Sequence, residues 1–194
     1  MDENSTLTRE LDELLQLCRA APQDAVSGLP NLPLFHQRLV EQLSRSRRDP
    51  AGKGALVMVD VNDFKTVNDR FGYPVGDEVL RDVATAVRTG LRSQDVFCRT
   101  GGDEFMILLP DTDARGARIV MARLRVAAIR AGAPRNIAVS ISAGASTWPA
   151  DGRRPAELIA KADAALCADR RRMRRIARRG PAAVGDRTKL RLVK

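Results

Sequence analysis

Residues 99 to 109 read RTGGDEFMILL. Two glycines and two acids separate a short apolar run, VFCRT, from a longer one, EFMILLP. Paired glycines suit a tight turn between antiparallel strands, so the stretch is predicted to be a hairpin with Gly101 and Gly102 at its tip. Adjacent carboxylates repel, so Asp103 and Glu104 either project into water or face something positive.

Upstream, ALVMVDV (55–61) is a continuous apolar run ending in an acid, the pattern of a buried strand with Asp60 at its C-terminal end. Phe64, Val67, Asn68 and Phe71 fall on one face of a short helix that Gly72 can stop. Pro74 introduces a longer helix bearing Val79, Leu80, Val83 and Val87. Before the strand, Asn31 can cap a helix with Pro33 in its first turn and Phe35, Leu39 and Leu43 one turn apart, and SRSRRDPAGKG reads as a loop. Beyond the hairpin, residues 114 to 131 are predicted helical, with Ile119, Val120, Leu124 and Ala127 toward the core. NIAVSISAGAS is strand-like, and 155 to 179 is a long helix that becomes strongly basic before Gly180-Pro181. Residues 5 to 20 form a short amphipathic pattern with Leu7, Leu11, Leu14, Leu15 and Cys18 on one face. The order β-α-α-β-β-α-β-α predicts an α+β fold, helices packed on a mostly antiparallel sheet.

Composition narrows the class. The 194 residues carry 44% hydrophobic and 29% charged side chains, as a soluble globular domain does. The N-terminus is acidic and lacks the apolar core of a secretion signal, and no apolar run is long enough to cross a bilayer. Three cysteines without CxxC spacing suit reduced thiols and a cytoplasmic location. A single histidine, His36, leaves little for a histidine triad or zinc site. The net charge of +9 lies in the tail: residues 169 to 194 hold 11 basic and 2 acidic side chains, and the first 168 balance. That tail suits nucleic acid, anionic lipid or an acidic protein, or a solvated extension.

If the hairpin lies beside the first strand, Asp60, Asp103 and Glu104 converge at one sheet edge. Hard carboxylate oxygens suit Mg²⁺, which binds one or two protein carboxylates together with substrate phosphates, and paired metals serve in-line phosphoryl displacement. Lys65 can neutralise charge on a phosphate. Asp77 can accept both donors of a guanine edge, and Asn68 can bond the rest. Each residue also has a plain structural reading: a hairpin tip, a helix cap, a surface charge, an acid favoured near a helix start.

Taken together, DVNDFKTVNDRFGYPVGDEVL (60–80) and RTGGDEF (99–105) closely resemble the GGDEF family of bacterial diguanylate cyclases. The resemblance spans about residues 24 to 175. It opens at DAVSGLPN, continues through SISAGA and closes at ADAALCADR, leaving 1–23 as an N-terminal stub and 176–194 as a basic tail. It implies a palm-like α+β domain. It also implies condensation of two GTP into cyclic di-GMP and two pyrophosphates by a homodimer. By resemblance Asp60, Asp103, Glu104 and the Val61 carbonyl hold Mg²⁺, with Mn²⁺ as an alternative. Asp103 accepts the proton, Glu104 supports the metal site and Lys65 stabilises the phosphates. Phe64, Asn68, Tyr73 and Asp77 line the guanine, Gly101 and Gly102 turn over the nucleotide, and Arg170 and Arg174 grip phosphate. Arg92-Ser-Gln-Asp95 matches the family's inhibitory product site, with Arg123 as a secondary arginine. The chain departs from the family at Tyr73 (His), Leu32 (Arg), Cys167 (Tyr), Arg170 (Lys) and Met173 (Gly). No large sensor domain precedes residue 24, so the leucine stripe is a candidate dimerising stub. Two other functions fit the residues: a non-catalytic receptor for cyclic di-GMP or GTP, and an interaction protein working through its basic tail.

Overall fold

The computed structural model describes residues 23–49 and 51–179. The leucine stripe of residues 5 to 20 and the tail beyond 179 lie outside the described residues. Chain order is α1 (Leu32–Arg48), β1 (Gly54–Val61), α2 (Phe64–Phe71), α3 (Tyr73–Arg88), β2 (Val96–Gly101), β3 (Glu104–Pro110), α4 (Ala114–Gly132), β4 (Ile141–Trp148) and α5 (Pro155–Arg179). This is the expected α+β fold. The four strands form one sheet in the order β2-β3-β1-β4, and every pairing is antiparallel.

Strand alternation divides the core in two. Val57, Val59, Phe105 and Ile107 face α2, α3 and α4, meeting Val79, Val83 and Leu124. Leu56, Met106 and Leu108 face α1 and α5, meeting Phe35, Leu39 and Leu158. Asp60 shares the parity of Leu56, so its side of the sheet is the one α5 covers. Helix α5 can lie close because residue 144 is glycine: a Cβ there would strike the α5 backbone at Ala162 and Leu166.

Three sequence expectations are corrected. Helix α1 runs on to Arg48 through the stretch read as a loop; Ser46 is buried, and Arg45, Arg47 and Arg48 suit the negative end of the helix dipole. Helix α4 buries Ala117, Leu124, Ala128 and Ala131, whereas Ile119 is exposed and Ala127 half-buried. Ile119 and Leu124 are five residues apart, about 140° around a helix, and cannot share a narrow face. Strand β4 begins at Ile141; Asn136 adopts a left-handed backbone, φ 54°, before it. Helix α5 runs unbroken to Arg179, as the sequence pattern leads one to expect.

Gly144→Val is expected to push α5 off the sheet and cost about 1–3 kcal/mol, the usual range for overpacking. A lower urea midpoint with an unchanged slope would show it.

Candidate active site

The β1–β3 register sets Asp60 opposite Glu104 at the end of the paired strands. The hairpin tip is fastened just beyond, where the Val61 amide donates to the Asp103 carbonyl at 3.1 Å. Asp60 is only 8% exposed. Burial raises its carboxyl above the ordinary value, and the neighbouring Asp103 and Glu104 add to this against the opposing pull of Arg170. Arg170 Nη2 donates to Asp60 Oδ2 and, at 3.2 Å, to Glu104 Oε1. One guanidinium therefore lies between two carboxylates drawn from different strands.

Asp169 aims that arginine. Its Oδ2 accepts from the Ala143 amide at 3.0 Å and from Arg125 Nη2 at 2.7 Å, joining α5 to β4 and α4 one residue before Arg170. Beside the acids is a cleft of about 460 Å³, lined by Asp60, Asn62, Ser140, Arg170 and Arg174 among others. Asn62 braces its floor. The amide oxygen accepts from Ser142 Oγ at 2.6 Å, and the amide nitrogen donates to Ser140 Oγ at 3.0 Å.

Gly101 (φ 139°) and Gly102 (φ 55°) take backbone angles that side chains rarely adopt, and the space above both is open. Arg99 clamps this tip from below. Its Nε and Nη2 donate to the Gly102 carbonyl at 2.9 and 2.6 Å, and its Nη1 donates to Asp24 Oδ1 at 2.9 Å. Burial works against the Asp24 charge, but hydrogen bonds from Ser27 Oγ and N, and from Arg99, hold its carboxyl below the ordinary range.

Phe64 is buried at the start of α2, Lys65 beside it is exposed, and Tyr73 is exposed at the start of α3. Asn68 packs against α3 where residue 76 is glycine; a Cβ there would strike Asn68 Oδ1. That oxygen is buried and has no hydrogen-bond partner. Asp77, next to Gly76, is half-buried.

Away from the acids, a cavity of about 260 Å³ is lined by Arg88, Arg92, Asp95 and Phe97 among others. Asp95 Oδ2 accepts the Arg92 amide at 2.8 Å, and its Oδ1 is buried without a partner. Burial raises the Asp95 carboxyl, opposed by the Arg92 amide and the charges of Arg92 and Arg123. Arg123 donates to the Gly90 carbonyl at 2.7 Å.

The structure thus joins Asp60, Glu104 and Arg170, with Asp103 alongside. Among the described residues no three His, Cys, Asp or Glu side chains converge tightly enough to hold a metal by themselves. Local sequence pattern does not single out Asp24, Asn62, Gly76, Arg99 or Asp169 for a role. Asp24 and Asp169 lie inside the quoted opening and closing strings, the only sequence signal for them.

A buried strand-end acid facing a second acid, under a glycine turn and beside an open cleft, marks the candidate site of this α+β domain. The family profile "Diguanylate cyclase, GGDEF domain" matches residues 21–175, and the chain belongs to this family. It is 34% identical over 164 residues to the bifunctional diguanylate cyclase/cyclic di-GMP phosphodiesterase MucR of Pseudomonas aeruginosa, covering 84% of this chain and 23% of that one. It is likewise 34% identical over 164 residues to the response regulator PleD of Caulobacter vibrioides, covering 81% and 35%. The crystal structure of the diguanylate cyclase SiaD with its activator SiaC, from Pseudomonas aeruginosa, superposes with a TM-score of 0.69 at 33% identity, covering 88% of this chain and 65% of that one. The chain spans less than half the length of the curated relatives named here.

Arg99→Ala should free the hairpin tip and cost about 1–3 kcal/mol, because it removes charge-assisted hydrogen bonds to the Gly102 carbonyl and to Asp24, which keeps those from Ser27. Faster amide exchange at Gly101 and Gly102 would report it. Because the Ser27 hydrogen bonds, and then Arg99, hold the Asp24 carboxyl below its ordinary 3.8, the contribution of the charged Asp24 is complete above that pH and fades as pH falls through the lowered value. The melting-temperature gap between parent and Asp24→Asn should therefore narrow on acidification.

Proposed function

We propose that this chain is a diguanylate cyclase, joining two GTP into cyclic di-GMP with release of two pyrophosphates. The carrying observation is the facing pair Asp60–Glu104 with a single cation between them. The donor set fits a hard divalent cation: the Arg170 guanidinium takes the place a cation would fill, and substrate phosphates complete a Mg²⁺ shell that two protein carboxylates begin. Asp60, Asp103, Glu104 and the Val61 carbonyl are the candidate metal-binding groups, for Mg²⁺ or Mn²⁺. When bound, the metal supplies Lewis-acid stabilisation of charge on the phosphates.

In each half-reaction the 3′-hydroxyl of one GTP attacks the α-phosphate of the other. A P–O bond forms, the bond to pyrophosphate breaks, and the hydroxyl proton passes to the Asp103 carboxylate. Two copies of the chain bring the two nucleotides together. Glu104 supports the metal site, and Lys65 and Arg174 offset charge on the phosphates. Arg170, which pairs with the acids here, would be free to pair with the phosphates if a metal held those acids. The unpartnered Asn68 oxygen and the Asp77 carboxylate accept the guanine donors, while Phe64, Tyr73 and the open glycine turn leave room for the base and ribose. Arg92, Asp95 and Arg123 form the product-feedback site, whose unpartnered Asp95 oxygen awaits a donor. The catalytic domain covers 24–175, between the 1–23 stub and the 176–194 tail, and works in the cytoplasm. Among the described residues no helix is long and apolar enough to cross a membrane. A receptor reading has one point in its favour: Arg170 already neutralises the acids that a metal would bind.

Protein incubated with GTP and Mg²⁺ should yield cyclic di-GMP by chromatography, and Asp103→Ala should lower the rate by about 10²-fold or more, on the scale of losing general-base catalysis. Absence of product across a wide range of protein concentration would sink the cyclase, and tight cyclic di-GMP binding in that case would make the chain a receptor.

The raised Asp60 carboxyl takes up a proton at higher pH than an ordinary aspartate, and the protonated form is a poor metal ligand. Mg²⁺ affinity should therefore begin to fall at a higher pH than an ordinary aspartate ligand would give. Asp60→Asn should abolish that part of the profile.

A further inference from the structure

Helix α4 is apolar on two sides. Its inner side is in the core. Its outer side carries Ile119, Ala122, Val126 and Ile129, spaced by three, four and three residues; Ile119 is 54%, Val126 48% and Ile129 61% exposed. Arg115, Arg118, Arg123 and Arg130 surround this row, and the helix contains no acid. Apolar residues at alternating spacings of three and four form the seam of paired helices, with flanking charges choosing the partner.

The chain carries a complementary sequence. Leu7, Leu11, Leu14 and Cys18 recur at four, three and four; residues 5 to 20 hold three acids, Glu10, Asp12 and Glu13, against Arg9 and Arg19, with Asp2 and Glu3 just before them. The two rows match in period and nearly in length. Charge also opposes one alternative, since two copies of α4 would set arginine against arginine. We propose that the outer face of α4 is the docking surface for residues 5 to 20 of this chain. This does not depend on the cyclase reading. It places the segment beside Arg123, whose helix borders the Arg92–Asp95 cavity through the Gly90 carbonyl.

The test uses the full chain with Cys167→Ser, leaving Cys18 and the buried Cys98, whose thiol burial pushes up to about 12. Val126→Cys is added on the seam, or Lys161→Cys on the exposed side of α5 as control, and disulfides formed under mild oxidation are mapped by mass spectrometry. The proposal expects Cys18 to join the thiol at position 126 several-fold faster than the one at 161. Gel mobility shows whether the pairing is within one chain or between two, and either supports the surface. Adding Arg118→Glu should slow the reaction about two- to fivefold, the scale of one exposed ion pair, and Glu10→Arg should restore it. Equal rates at positions 126 and 161, a dominant Cys18–Cys18 product, or indifference to the charge swap would each overturn it.

Discussion

Two carboxylates face one another at the end of the β1–β3 pair, and a positive group has to lie between them. The rest of the molecule is arranged around that requirement. Asp60 belongs to a strand buried on both faces, so it cannot turn away into water. Glu104 is fixed opposite by a register that runs unbroken from Gly54 to Asp60. The nearest cation comes from α5, the last described helix, brought in by the glycine at 144 and aimed by Asp169. The arginine is thus a structural counter-ion to both acids.

A second set of ties makes the hairpin tip rigid without filling the space above it. Arg99 holds the Gly102 carbonyl from beneath and fastens it to Asp24, at the start of the domain. Asn62 locks the turn after β1 to Ser140 and Ser142. The edge that carries the acids is therefore preformed, and its ordering cost is met during folding.

Much of this was legible in the sequence. ALVMVDV and EFMILLP are continuous apolar runs around a glycine pair, a local signal that needs no tertiary help, and they put Asp60 and Glu104 within reach of each other. The helix order followed from the same kind of pattern. What was not legible depended on partners far apart in the chain. Nothing local says that Arg99 meets Asp24, or that Asp169 bonds the Ala143 amide and Arg125. The face of α4 was misread because the helix is rich in alanine and carries large apolar groups on opposite sides. Ser44 to Arg48 has the composition of a loop, yet continues α1 because Ser46 is covered.

The position of Arg170 in the chain has a consequence for assembly. All the acids and glycines of the site lie before residue 105, so during synthesis they emerge well ahead of the helix that neutralises them. Until α5 docks, Leu56, Met106 and Leu108 lack the cover of Leu158 and Ala162, and Asp60 has no arginine opposite. The domain closes from its C-terminal end, and a nascent chain that stalls before α5 presents an open apolar sheet face beside an uncompensated acid pair.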